Sequence, residues 1–215
     1  KWSVLSIPSD KFPADDRFSF ACGVPPKSAA GLFTEEQSIE TAIEAALNPW
    51  GEKENFFSVR KIGEPELSNE NIAPLSFFIS DGLPRRAEEI KILIDFVEKG
   101  GGLLIFSPEN IPEGGIRISP RLRFISAADA PSGNAFKADK DILSSGPIHE
   151  DLGNTLCSAN FAKRALIEGD FTVIAKFQDG QPLLCSSSVG LGTVYIFCAP
   201  IGSKFSNFTE NPVFP

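Results

Sequence analysis

Apolar and polar positions change period along the chain, and the clearest change falls at residues 75–106. Leu75–Ile79 is a continuous apolar run, the pattern of a strand buried on both faces. Asp81-Gly82-Leu83-Pro84 interrupts it, and a helical period follows in which Ile90, Leu93, Ile94 and Val97 share one face, widened by Ile92 and Phe96. Pro84 suits a first helical turn, where a missing N–H costs nothing, and Gly100 suits the C-terminal cap because glycine takes left-handed backbone without strain. Gly101 and Gly102 return the chain into a second apolar run, Leu103–Phe106. Together these predict a βαβ unit. Parallel strands need such a crossover, so the expected fold class is α/β, with an open, mostly parallel sheet covered by helices.

The same reading extends to both sides. Trp2–Ile7 and Arg17–Cys22 read as two short strands around an acidic, proline-rich turn, a β arm over residues 1–24 that resembles the tail of a preceding segment. Pro25–Pro26 is a stiff joint into the main domain, residues 25–215. Ala29–Phe33 is its first strand, and Thr34 with Gln37 makes a capping box from which a helix should start. Ile39, Ala42, Ile43, Ala46 and Leu47 give that helix one apolar face until Asn48–Pro49 stops it. Phe56–Ile62 is the second strand, residues 63–74 a polar connector, Leu75–Ser80 the third strand and Leu103–Phe106 the fourth. Residues 109–143 are rich in Gly, Pro, Ser and Asp, carry one strand signal at Leu122–Ile125, and are expected to lie over or near the sheet's carboxyl edge. Regular alternation returns in TVIAKF, PLLCSS and TVYIFC, with turns at Asp179–Gly180 and Gly190–Gly192. This predicts an antiparallel meander. Residues 205–215 read as extended or loosely held.

Composition narrows the partners. At 215 residues with 42% hydrophobic and 22% charged positions, the chain can bury one sizeable core. A net charge of −8 repels polyanions, which excludes nucleic acid. Cys22, Cys157, Cys185 and Cys198 form no CxxC pair, so the usual zinc and thioredoxin patterns are absent. Cys185 and Cys198 fall on neighbouring predicted strands, either as buried free thiols or as a pair. No apolar run reaches the roughly 18 residues of a membrane span. A start at Lys1 and the lack of any methionine read as a fragment of a longer protein.

LPxxAEEIxxLxxFVEKGGGLLIF at Leu83–Phe106, GPIHED at Gly146–Asp151, AKFQDGQPLL at Ala175–Leu184 and VGLGTVYIF at Val189–Phe197 occur in that order. In this the chain resembles the glutamine-amidotransferase-like domain of BatA-type, aerotolerance-type bacterial membrane proteins, which also carry a von Willebrand factor A domain. The resemblance implies a flavodoxin-like open sheet of the class I glutamine amidotransferase type. It also implies an extracytoplasmic (periplasmic) position in a protein anchored in the inner membrane, with protein partners in the cell envelope. Active relatives carry a cysteine nucleophile on the turn after the fourth strand and a downstream histidine. Here the turn reads Ser107-Pro108-Glu109, and the only histidine is His149. The expectation is therefore an interaction or scaffold domain with no catalytic residue, metal or cofactor.

Ligands of open α/β sheets bind beyond the carboxyl ends of the strands, so Asp81, Ser107, Glu109 and His149 form the expected pocket rim. Two alternatives stay open: a divergent hydrolase or amidotransferase using Ser107 or a cysteine, and a site for a small ligand such as a sugar. The bland readings of the remaining features are preferred. Gly100–Gly102 is a turn, Asp15-Asp16 and Asp139-Lys140-Asp141 are solvated charges, and Arg117, Arg121 and Arg123 sit on a solvated edge with local acidic partners. The Asn207-Phe208-Thr209 sequon is read as chance.

Overall fold

The computed structural model describes residues 2–6, 17–21, 28–49, 57–130, 137–138 and 159–210. The arm is a pair of strands, β1 (Trp2–Ser6) and β2 (Arg17–Ala21), antiparallel to each other. The main domain carries β3 (Ser28–Phe33), α1 (Gln37–Leu47), β4 (Phe57–Lys61), a helical turn α2 (Asn69–Ile72), β5 (Phe77–Asp81), α3 (Ala87–Glu98) and β6 (Gly102–Phe106). There follow β7 (Ile116–Ser119), β8 (Leu122–Asp129), β9 (Lys137–Ala138), β10 (Lys163–Gly169), β11 (Thr172–Lys176), β12 (Pro182–Val189) and β13 (Gly192–Phe197).

Eight of these strands make one sheet in the order β4-β3-β5-β6-β13-β12-β11-β9. The first five run parallel, and the predicted meander continues the sheet antiparallel from β13. Numbered among themselves, the parallel strands stand 2-1-3-4-5. The chain thus leaves β3 toward one edge and β5 toward the other, and the direction of winding reverses between these two neighbours. The fold is a mixed α/β fold with a mostly parallel sheet and an antiparallel part.

Alternation across the sheet divides the core. On one face Ile39 and Ile43 of α1 pack with Leu32, Ile79, Phe106 and Phe197. On the other, Leu93, Ile94, Phe96 and Val97 of α3 pack with Phe78, Leu103, Ile105, Val194 and Ile196. Removing a fully buried side chain such as Leu93 costs about 2–5 kcal/mol, the loss of burial plus the cavity left behind.

Several expected boundaries move. The capping box does not form. The N-cap of α1 is Glu36, without a side-chain cap, because the Thr34 hydroxyl accepts from the Glu36 amide at 3.1 Å and donates to Asp81. Pro84 lies buried in the β5–α3 connection, and α3 starts only at Ala87. Its inward face is turned so that Ile90 is half-buried while Glu89 is buried. Glu89 pairs with Arg86, and its Oε2 has no partner among the described residues. The connector at 63–74 is not merely polar: Leu67 and Ile72 anchor it in the core.

The largest departure is at residues 109–130. They form the β7–β8 hairpin, which joins β10 in a separate three-stranded antiparallel sheet. Ile118, Leu122, Phe124 and Ala165 attach that sheet to the α3-side core, so β7 and β8 cover a face, while residues 131–136 and 139–143 of the expected segment lie outside the described residues. Nor is the chain after Phe205 loose as far as Glu210. Phe208 stacks on Phe197 at 4.9 Å between ring centroids, and Ser206 bridges to Phe161.

Glycines fix how the sheet meets α3. A Cβ on Gly192 would lie 2.2 Å from the Gly101 carbonyl oxygen, so the β12–β13 turn and the end of α3 approach at a distance no side chain allows. The Leu191 amide donates to the Glu98 carbonyl at 3.0 Å, satisfying a group the helix end leaves open.

Candidate functional site at the strand ends

The reversal between β3 and β5 opens at the strands' carboxyl ends, where Thr34 follows β3 and Asp81 closes β5. Thr34 is buried and its Oγ1 donates to Asp81 Oδ2 at 2.9 Å. Gly82 leaves the strand with a φ of 78°, a conformation that favours glycine, and its amide donates to the Phe106 carbonyl at 3.1 Å. The chain is thereby turned so that the Asp81 carboxyl stays at the crevice. Glu35 and Glu36 approach from the β3–α1 loop and Glu109 from beyond β6. Glu36 also reaches the segment after β13, where a Cβ on Gly202 would lie 3.4 Å from its Oε1.

Burial withholds water from Asp81 and raises its pKa to about 6. The Thr34 hydrogen bond opposes the shift, and the charges of Glu36, Glu109 and Glu35 add to it. Glu35 is partly neutralised by Arg85 at 3.3 Å, whose own amide donates to Glu64 Oε1 at 2.9 Å. Asp81 therefore changes from mainly protonated to mainly ionised between about pH 5 and 7. It can donate a hydrogen bond to a ligand below that range and accept one above it.

Of the four expected rim residues, the structure brings Asp81 and Glu109 together. Ser107 is a neighbour in space but not a rim group. It is 2% exposed, its amide donates to the Phe197 carbonyl at 2.9 Å and its hydroxyl to the Pro108 carbonyl at 3.1 Å. His149 lies outside the described residues, as do Cys22, Cys157, Asp15, Asp16 and Asp139–Asp141. Cys185 and Cys198 are free thiols with no exposure. Their mutual hydrogen bond and their burial push the Cys198 thiol well above its ordinary range, which makes it inert rather than nucleophilic. Among the described residues no group of three His, Cys, Asp or Glu could hold a metal ion. Arg121 and Arg123 pair with Asp170 and Glu168, and Arg117 is exposed. Asn207 takes the Asn160 amide on its Oδ1 at 2.8 Å.

No family model matches the chain, and no curated protein matches it in sequence. Similarity is found among solved structures. An exo-β-1,4-mannosidase from Opitutaceae bacterium strain TAV5 superposes with a TM-score of 0.54 at 18% identity, over 86% of this chain and 32% of the mannosidase. A GH42 β-galactosidase from G. stearothermophilus gives 0.53 at 14% identity, over 81% of this chain and 28% of the enzyme. A cytoplasmic protein from Salmonella typhimurium gives 0.52 at 13% identity, over 87% of this chain and 94% of that protein. The chain thus spans about a third of the length of the two glycosidases. At these identities the likeness is one of fold.

Thr34 and Glu36 were not expected at the site. Thr34 has the composition of a helix cap, and only the strand order, which places the end of β3 beside the end of β5, identifies it as Asp81's partner. Among the described residues no helix is long and apolar enough to cross a membrane.

Proposed function

We propose that this chain is a non-catalytic interaction or scaffold domain with a flavodoxin-like sheet of the class I glutamine amidotransferase type. It would belong to the extracytoplasmic part of a BatA-type protein anchored in the bacterial inner membrane. One observation carries the reading. The turn after β6, where active amidotransferases of this type present their nucleophile, holds Ser107 buried, with its hydroxyl bonded to its own chain and Pro108 next in line. A nucleophile must be exposed and placed against a base, and this hydroxyl is neither exposed nor bonded to a carboxylate. The 2-1-3-4-5 order of the parallel strands supports the fold assignment.

The test uses the full-length parent protein in its own cells, with a photo-crosslinking residue at the exposed rim position Glu35. The expected result is capture of one defined envelope protein, with no glutamine or ester hydrolysis by the purified protein. Hydrolysis that disappears in Ser107→Ala would overturn the proposal in favour of a divergent hydrolase.

A second reading, a small polar ligand at the strand ends, is favoured by the Asp81–Thr34 pair at the winding reversal. Glycosidases among the similar folds make a sugar a reasonable first probe. Binding there should change between pH 5 and 7 as Asp81 titrates, and Asp81→Asn should remove that dependence without abolishing the fold.

A further inference from the structure

The pairing of β12 is longer on one side than on the other. Toward β13 it runs from Leu184 to Val189, whereas toward β11 it ends where Ser186 meets Thr172. Among the described residues, Ser187, Ser188 and Val189 therefore have a strand neighbour on one edge only. Val189 and Gly192 close a two-residue turn, and the closing pair of such a hairpin exchanges its backbone hydrogen bonds. Alternate residues of a strand direct these groups to opposite edges, so Ser187 and Val189 serve β13 while Ser188 turns its N–H and C=O to the open edge. Neither group has a backbone partner among the described residues.

This edge borders a cleft of about 640 Å³, within the usual size of ligand sites. The β7–β8 turn, with Pro120 and Arg121, makes the facing wall. Asp170 holds the two sides in place: its amide donates to the Arg121 carbonyl at 2.9 Å, and its carbonyl accepts from Ser187 Oγ at 2.7 Å. Arg121 and Asp170 also stand 3.6 Å apart through their side chains, both largely exposed. Such a pair is weak, and the guanidinium fork keeps donors for a second carboxylate.

The start of β11 decides what fits. An extended segment that pairs with Ser188 lies in line with β11, and Thr172 already occupies the next place along that edge. The segment must end there. If it runs antiparallel to β12, as β11 does, the end that meets Thr172 is its C-terminus, and the Arg121 wall beside Asp170 supplies the cation for the terminal carboxylate. Side chains alternate along such a segment. The residue opposite Ser188 shares the sheet face of Ser186 and Thr172, and the residues on either side of it turn toward Pro120, Phe171 and Val189. We infer that this cleft binds the C-terminal end of an extended peptide from a partner protein, with Ser188 pairing its backbone, Arg121 its carboxylate, and its last and third-last residues apolar. The inference stands apart from the strand-end rim and depends on neither membrane anchoring nor the family assignment.

The test titrates isotope-labelled protein with an acetylated tetrapeptide of alternating threonine and valine, ending in valine with a free carboxylate, to about 10 mM, enough to load a site with a Kd near 1 mM. Amide NMR spectra are the readout. Shifts are expected at residues 119–121, 170–172 and 186–190. The same peptide with an amidated C-terminus should bind about tenfold more weakly, and Arg121→Ala should erase that difference. Ser188→Pro removes the N–H of the open edge at an exposed position and should weaken the free-acid peptide about tenfold, leaving the rest of the spectrum folded. The inference is overturned if the free-acid peptide moves none of these amides, if the amidated peptide binds as tightly, if Ser188→Pro binds as the parent does, or if the shifts fall instead on β4 or at residues 34–36 and 81–82.

Discussion

Asp81 ties the site to the energetics of the whole chain. Its pKa is raised from 3.8 to about 6, so the folded state holds this proton more tightly than the unfolded chain does. The group favours folding most below pH 3.8, and that support is lost as pH rises through about 6. Asp81→Asn keeps an acceptor for Thr34 and removes the charge. It should stabilise the protein by about 1–3 kcal/mol at pH 8 and by roughly half as much at pH 5. Melting curves of both proteins at the two pH values check this, and an equal gain at both would exclude burial as the cause. Ser107 gives a contrasting case. Ser107→Ala removes a hydroxyl bonded only to its neighbour's carbonyl, so the expected loss is about 1 kcal/mol by denaturant titration. Asp81 was legible from sequence because it ends an apolar run. Ser107 was legible as a position but not as a buried group, since its surroundings depend on the end of β13, whose Phe197 carbonyl accepts its amide.

Elements were predictable where the period was strong and displaced where one residue had a tertiary partner. The helix starts illustrate this. A cap at Thr34 and a start at Pro84 both satisfy local rules, yet Thr34 bonds Asp81 47 residues away, and α3 starts after the Pro84 turn. Of the β7–β8 hairpin only the first half of β8 was legible, as the strand signal at Leu122–Ile125, because its second half, Ser126–Asp129, is small and charged and β7 is only four residues long. Glycine contacts between elements are equally invisible in one dimension. Gly192→Ala should cost about 3 kcal/mol or more, because the new methyl meets the carbonyls of Gly101 and Val97. Gly180→Ala, at a φ of 86° with open space around it, should cost only about 1–2 kcal/mol. Near-equal losses in thermal unfolding would show that conformation rather than packing governs both. The α3 start offers a further check. Arg86→Met strands the buried Glu89 carboxylate, whereas Arg86→Met with Glu89→Leu removes both charges. The single variant is expected to be the less stable by about 2 kcal/mol, and a double-mutant cycle measures it.

At the scale of the molecule, the class of fold followed from one βαβ signal, but the sheet's size did not. The antiparallel strands were recognisable as a meander. Their attachment to β6 through β13 was not, because a parallel pairing leaves no trace in local alternation. That seam holds the two halves together, with Leu103, Ile105, Val194 and Ile196 all nearly or fully buried beside it. Native-state hydrogen exchange should therefore find the slowest amides in β5, β6, β13 and β12, all opening with one shared free energy. Separate values for the parallel and antiparallel parts would mean that the sheet is two cooperative units.

The β6–β13 pairing also sets a timetable for the ribosome. The partner of Gly102 is Thr193, so β6 leaves the exit tunnel about 90 codons before the strand that will flank it. At roughly 5–20 residues per second, that leaves an apolar strand unprotected for about 5–20 s of synthesis. During that interval the nascent chain offers an open template to any neighbouring strand. Slower translation, or a chaperone kept from the nascent chain, should lower the soluble yield far more than it changes the stability of what does fold.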